Sequence, residues 1–326
     1  MLYDVLPGHP PCLRLVSASF WSSPGSPLDR LLGLRRRLLR AALARGVRVA
    51  VLHRAQWLIH WIEGPPPAVE SAWRRIQRLP EQDAFRLLHR SEGAPTLRQP
   101  VHIASVFRPE APQQLERHLA ALAASQASAH EPVRLWHGLA APAGPTPCTR
   151  VVIASALDHE GIDLLRRIAH LKHADVVYQR FADSDLTQFD GGAAYADLDV
   201  GCGCAARAQV LSRRGLADPL VRGGQPAVRE IVLLPGSHEG RCARLVDAVR
   251  SLLADGGNRI RVHVLGQDAG MVGLAVGLLR VAGGAGPVLP GIARSLHEKA
   301  VVVEQLLLEA ATADGCAPWG GDAAVA

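Results

Sequence analysis

The sequence predicts an α/β protein of two domains, and three observations carry that prediction. The first hundred residues alternate strand-like and helix-like stretches in the order β-α-β-β-α-β. Beyond Arg150, continuous apolar strands alternate with helices, as in a mostly parallel, doubly wound sheet. Between them, residues 106–149 combine one helical stretch with Ala, Pro, Ser and Gly and read as a capping helix and linker. A chain of 326 residues is long enough for each half to bury its own core.

In the first domain (residues 1–105), LRLVS (13–17) is the opening strand. Ser26 and Pro27 suit a helix start and Gly46 its end, with Leu28, Leu31, Leu32, Leu38, Leu39 and Leu43 at helical spacing between them. VRVAVLH (47–53) and WLIHWI (57–62) form a hairpin around a tight turn at Arg54-Ala55-Gln56. Pro65 to Pro67 open a second helix, with Val69, Trp73 and Ile76 on one face, and FRLLHR (85–90) is a fourth strand. This order is the ferredoxin-like pattern, two helices on one face of a four-stranded sheet. Arg35, Arg36, Arg37 and Arg40 read as the solvated side of the first helix, with a phosphate-binding patch as the sharper alternative.

The segment LIHWIEGPPPAVESAWRRIQRLP resembles the third strand and second helix of BLUF domains, which bind a flavin between the two helices. Glu63, Gly64, Pro65, Ala68, Val69 and Glu70 match that family's motif, and the resemblance covers about residues 12–105. It implies a light-sensing tyrosine where this chain has Leu15 and a glutamine where it has His60. Leucine has no hydroxyl to donate, and an imidazole has no amide to rotate. The family's late-helix asparagine is missing around Ala44 and Arg45, and its Pro-x-Trp-x-Met pattern stands as Pro100-Val101-His102-Ile103-Ala104. The expectation is therefore a framework without photochemistry and without flavin. A flavin held with altered chemistry is the alternative.

Strand alternation puts Trp57, Ile59 and Trp61 on the back of the sheet if His60 faces the helices. Such a face must be covered. The expected cover is the helix after Pro112, with Leu115, Leu119 and Leu122 in register; the alternative is a second copy of the chain, which would make these three residues an interaction surface.

The second domain (150–312) opens with the buried-type strand VVIASA, and EIVLLPG and RVHVLG follow later, each leading into a helix. AYADLDV and ARAQVL read as a hairpin around the turn GCGC, and residues 313–326 as a loose tail. The layout resembles bacterial small GTPases of the gliding-motility and Arf-like kind. The resemblance implies a first switch near Thr187 and Asp190-Gly191, a second at Ser212-Arg213-Arg214-Gly215, and a base-reading Asp268. The phosphate-loop positions keep only Gly161, with Ile162 and Asp163 where lysine and a hydroxyl belong, and Asp158 and Glu160 would repel a triphosphate. Tight GTP binding is not expected. His159-Glu160-Gly161 and His238-Glu239-Gly240 repeat one motif, but neither has a second ligand one helical turn on, so metal is not expected either. Cys202 and Cys204 read as non-functional turn cysteines, with a redox-sensitive pair as the alternative.

Six cysteines in a chain of this length, without a visible secretory signal, are not a disulfide framework, and the expected location is the cytoplasm. The most apolar stretch, residues 271–279, is too short to span a bilayer, and a net charge of +6 dispersed over many arginines does not call for nucleic acid. The function expected is that of a non-catalytic regulatory or adaptor protein acting on protein partners. A small-ligand sensor using the cleft around His60, and an enzyme built on the two His-Glu pairs, are the other readings.

Overall fold

A computed structural model describes residues 12–21, 27–79, 82–107, 111–124, 132–140, 147–182, 191–200, 204–222, 228–256, 260–282 and 286–313. The chain divides into two compact units, both mixed α/β. Unit 1 holds residues 1–141 and 179–190; unit 2 holds 142–178 and 191–326. The sequence reading differs in keeping 179–190 with the second domain. An apolar strand does not announce which half of a chain it will join.

Unit 1 comprises β1 (Cys12–Trp21), α1 (Pro27–Arg45), β2 (Arg48–Arg54), β3 (Trp57–Gly64), α2 (Pro66–Ile76), β4 (Gln82–Gly93), β5 (Val101–Phe107), α3 (Pro112–Ala124) and α4 (Pro132–Ala140). Its strands pair in the order β5-β2-β3-β1-β4, antiparallel except for β2 with β5. The β2–β3 turn places Ala55 and Gln56 at φ 44° and 67°, the positive values that a two-residue hairpin turn requires. Gly46, at φ 65°, ends α1, and its neighbour Val47 donates its N–H back to the Ala42 carbonyl. Gly64 has φ 153°, and a Cβ there would sit 3.1 Å from the Gly46 carbonyl oxygen and from Val47. Only glycine lets β3 end against the turn that follows α1.

Alternation assigns the two faces. Leu13, Leu15, Val49, Val51, Leu58, Ile62, Val101 and Ile103 pack against Leu31, Leu34, Leu39 and Ala42 of α1 and Val69 and Ile76 of α2. The core-facing apolar residues of α1 with described side chains are thus Leu31, Leu34, Leu39 and Ala42, with Leu38 half-buried. Leu43, expected to face the core, is instead 66% exposed, and Arg35, expected in solvent, is buried. The back face carries Trp57, Ile59 and Trp61, all buried. Leu115 and Leu119 of α3 and Leu135, Trp136 and Leu139 of α4 are buried as well, and the Trp136 ring lies 6.0 Å from that of Trp61. Arg54 donates to the Leu139 carbonyl at 2.6 Å, and Arg86, over the Trp57 ring, pairs with Glu116 of α3. The cover is intramolecular, so the back of this sheet is not an exposed surface for a second copy.

Unit 2 comprises β6 (Thr149–Ser155), α5 (Asp158–Leu171), β7 (Val177–Ala182), within which the chain passes to unit 1, β8 (Gly191–Asp199), β9 (Ala205–Leu211), α6 (Arg213–Ala217), α7 (Pro219–Arg222), β10 (Val228–Leu234), α8 (Glu239–Gly256), β11 (Arg261–Gly266), α9 (Ala269–Ala282), β12 (Val288–Ile292) and α10 (Leu296–Ala313). The strand order is β8-β9-β6-β10-β11-β12, parallel except for β8, which runs against β9. Val151, Ile153, Ala208, Val210, Val232 and Leu234 form one core with Leu164, Leu165 and Ile168 of α5 and Val303, Leu306 and Leu307 of α10. Val152, Ile231, Leu233 and Val264, of the opposite parity, are equally buried, as are Leu245 and Val249 of α8 and Val272 of α9. The apolar stretch 271–279 lies inside α9, and among the described residues no helix is long and apolar enough to cross a membrane.

Two backbone positions test this account. Gly64→Ala should cost about 1–3 kcal/mol in urea denaturation, because the new methyl meets backbone at a disfavoured φ. Replacing Ala55-Gln56 by Asn-Gly should stabilise unit 1 by about 1–2 kcal/mol, since both residues already sit at positive φ; an unchanged denaturation midpoint would contradict the turn geometry.

Candidate functional site

The place to look for function in unit 1 is the front of the sheet, under α1 and α2. β1, β3 and β2 lie side by side there, and their register sets the composition. Leu15 stands opposite Ile62, and Ser17 opposite His60, which on its other side faces Val51. His53 is two residues further along β2 and so diagonal to His60. Ser105 of β5 is opposite His53, with its Oγ 3.0 Å from His53 Nδ1. The Trp21 ring meets His53 edge-on at 5.5 Å. Arg35 of α1 is buried too. An apolar core thus encloses two imidazoles and several hydroxyls.

Burial fixes the state of these groups. His60 is fully enclosed, and desolvation pushes its pKa from 6.5 down to about 4. His53 is pushed down to about 4 by the same cause. Both are neutral near pH 7. The Nδ1 of His60 and the Oγ of Ser17 are buried without a hydrogen-bond partner among the described residues. These residues do not fit the flavin chemistry that the family resemblance implies. Leu15 and His60 are buried within packed core, Leu15 offers no hydroxyl, and Val51, Leu58 and Ile62 surround them on the same face.

The motif that carries the resemblance serves the frame. Glu63 is completely buried, and its carboxylate accepts from Trp61 Nε1 at 3.0 Å, from the Thr96 N–H at 2.6 Å and from the Leu97 N–H at 2.8 Å. It thereby fastens the β4–β5 connection to the end of β3. Glu70 forms an exposed pair with Arg90 at 2.7 Å. Sequence reasoning missed Ser17, His53, Ser105 and Arg35; extending the His60 alternation to its neighbours would have found Ser17 and His53.

In unit 2 the candidate positions are also structural. Only Ala156 and Leu157 separate β6 from α5, and Ser155 Oγ donates to the Leu157 carbonyl at 2.7 Å while lying 3.2 Å from its N–H. Gly161 sits in the first turn of α5, where a Cβ would meet Val210 at 3.0 Å, so its role is close helix–strand packing. Ile162 packs on the core, and Asp163 is exposed beside Arg166. Glu160 pairs with the buried Lys299 of α10. Ser212 caps α6 by accepting from the Gly215 N–H at 3.2 Å, and Asp268 accepts from the Met271 N–H at 2.7 Å at the start of α9. Gly191 begins β8, whereas Thr187, Asp190 and Cys202 lie outside the described residues, and Cys204 is half-buried. His159, in the first turn of α5, and His238, just before α8, are both exposed after neighbouring parallel strands, yet among the described residues no group of three His, Cys, Asp or Glu could hold a metal.

No protein family model and no curated protein matches the chain. Solved structures similar to it include a bacterial light-regulated adenylyl cyclase, 13% identical over 36% of this chain and 34% of that one, with a TM-score of 0.28. Two others are BlrP1 BLUF, 23% identical over 29% of this chain and 66% of that one (TM-score 0.26), and BlrB, a BLUF protein in its dark state, 18% identical over 35% and 97% (TM-score 0.26). The chain therefore spans about a third of the cyclase it matches.

The buried histidines make an acid prediction. As pH falls below 6.5 the unfolded imidazoles take up protons while the folded ones do so only near 4, so stability is full above 6.5, is lost between the two values, and is flat below. Across that window His60 accounts for a loss of up to about 3 kcal/mol, at ~1.4 kcal/mol per pH unit. His60→Leu should be at least as stable as the parent at pH 7 and should lose less on acidification; equal slopes in urea titrations at the two ends of the window would refute the assignment.

Proposed function

We propose that the chain is a non-catalytic regulatory or adaptor protein that works through protein–protein contacts. It would join a BLUF-like module stripped of flavin chemistry to a GTPase-like module stripped of its phosphate loop. The observation that carries this reading is that both places where a small molecule would sit are filled by framework. Leu15 and His60 are core residues beneath α1 and α2. The β6–α5 connection is a two-residue turn closed on itself by Ser155, too short to wrap a triphosphate in backbone amides.

The GTPase-like half of the reading is supported by strand order. Numbered within unit 2, the six strands β6, β8, β9, β10, β11 and β12 run 2-3-1-4-5-6, with only the second antiparallel. That is the layout implied by the resemblance, with the switch point beside β6. Asp268 at the base-reading position and Ser212 at the second-switch position cap helices, and Glu160, expected to repel a triphosphate, pairs with Lys299. A cytoplasmic location belongs to the same reading, and the described cysteines Cys12, Cys148, Cys204 and Cys242 are free thiols.

A second reading, a sensor for a small polar ligand, is favoured by one feature. Ser17 Oγ and His60 Nδ1 face each other's strands unpaired, and an unpaired buried polar atom costs about 1–3 kcal/mol that a ligand could relieve.

The purified full-length protein should be colourless and should give no heat on titration with GTP and Mg²⁺. A stoichiometric flavin in the visible spectrum defeats the first half of the proposal, and sub-micromolar nucleotide binding defeats the second. Native mass spectrometry separates the two readings: added mass that His60→Leu abolishes selects the sensor.

A further inference from the structure

The outer surface of unit 1's helical layer is a pair of arginine stripes. On α1 the exposed residues include Arg37 and Arg40, in line with Leu43 one turn on. On α2 and the turn after it they are Arg74, Arg75 and Arg78. Both helices lie on the same face of one sheet, and they run antiparallel, because β1 and β3, which lead into them, do. α1 has a single acidic residue in its sequence, Asp29 in its first turn, against six arginines. The one carboxylate of α2, Glu70, is already paired with Arg90. Arg37, Arg75 and Arg78 have no acidic partner among the described residues. Like charges three and four residues apart disfavour a helix. The layer therefore holds a repulsion that an anionic partner would remove.

We propose that this α1–α2 surface docks an acidic segment of a partner protein, with Arg37, Arg40, Arg75 and Arg78 as carboxylate forks and Leu43 as an apolar anchor. The chemistry selects protein over the other polyanions. A guanidinium matches a carboxylate with two parallel hydrogen bonds. Single-stranded nucleic acid needs exposed aromatic rings between the charges, and the one aromatic residue of these helices, Trp73, is half-buried with its indole nitrogen enclosed. A bilayer needs an apolar face to insert, and Leu43 is one side chain. This inference rests on the adaptor reading above for its choice of partner class, and its test reads something else. A flavin-loaded protein that still binds through these arginines would defeat the adaptor reading and leave the docking surface standing.

The test is fluorescence anisotropy of labelled poly-L-glutamate with the full-length protein at low and high salt. Binding that salt weakens is expected. Arg37→Glu with Arg40→Glu, and separately Arg75→Glu with Arg78→Glu, should each weaken it about tenfold or more. Arg134→Glu, an exposed arginine on α4 beyond the other face of the sheet, should change it less than about twofold. Thermal melts by circular dichroism confirm that each variant is folded, and the two pairs sit on different helices, so loss of one fold leaves the other reading. No binding, equal loss in Arg134→Glu, or tighter binding of duplex DNA or phosphatidylserine vesicles than of polyglutamate overturns the proposal.

Discussion

Unit 1 depends on one buried carboxylate. Glu63 has no contact with water, so each of its oxygens must find donors inside the protein. It finds three, the Trp61 indole and the amides of Thr96 and Leu97. These bonds fix the route by which the chain leaves β4 and enters β5, and β5 in turn supplies the parallel neighbour of β2. Gly64 then lets the strand end against Gly46 and Val47, which sets where α1 stops and β2 begins. The Glu-Gly pair reads in sequence as part of the framework motif that carries the family resemblance. Its physical role here is to hold strands and connections together, and that role needs no cofactor.

Packing alone accounts for most of the front face of the same sheet. Leu15 brings no polar atom to the core, and the surrounding Ile62, Val51 and Ile103 pack as an apolar sheet face against α1 and α2. What remains polar there is costly. Two neutral histidines and an unpaired serine hydroxyl stand where leucine or alanine would be cheaper by transfer energy. Ser105 meets part of the requirement of His53, whereas His60 has no such partner on its Nδ1. Packing alone does not explain that residual polarity.

Much of the frame was legible because it follows from periodicity. The β-α-β-β-α-β order, the assignment of Trp57, Ile59 and Trp61 to the back face and the cover by α3 all follow from periods of two and 3.6. The rest was hidden for identifiable reasons. α4 is nine residues long, and although its Leu135, Trp136 and Leu139 fall at helical spacing, so short a stretch set among Pro, Ala and Gly reads as linker, so its Trp136, which completes the cover over Trp61, stayed hidden. The burial of Arg35 was hidden because the leucines of α1 fill two adjacent stripes and sequence does not say which one faces inward. The roles of Asp268 and Ser212 were misjudged in the other direction: each is a cap residue just before a helix, a signal that sequence does carry, and the layout resemblance drew attention away from it.

Capping and phosphate binding draw on the same atoms of a helix start. The first turn of a helix after a parallel strand presents free amides and a positive partial charge. A phosphate can satisfy them, and so can an aspartate, a serine or a carboxylate neutralised from another helix. In this chain the second set is present: Ser155 closes the β6–α5 turn, Asp268 serves α9, and Glu160 at the start of α5 is matched by Lys299 from α10. The buried lysine is the informative member. A cation taken out of water must be paired, and Lys299 is paired with a carboxylate in the turn where the family resemblance would place a phosphate. To admit a triphosphate, that turn would have to lengthen, and two negative charges would have to share one neighbourhood with a single lysine. The arrangement is self-sufficient: the amides, the carboxylates and the lysine at that edge satisfy one another.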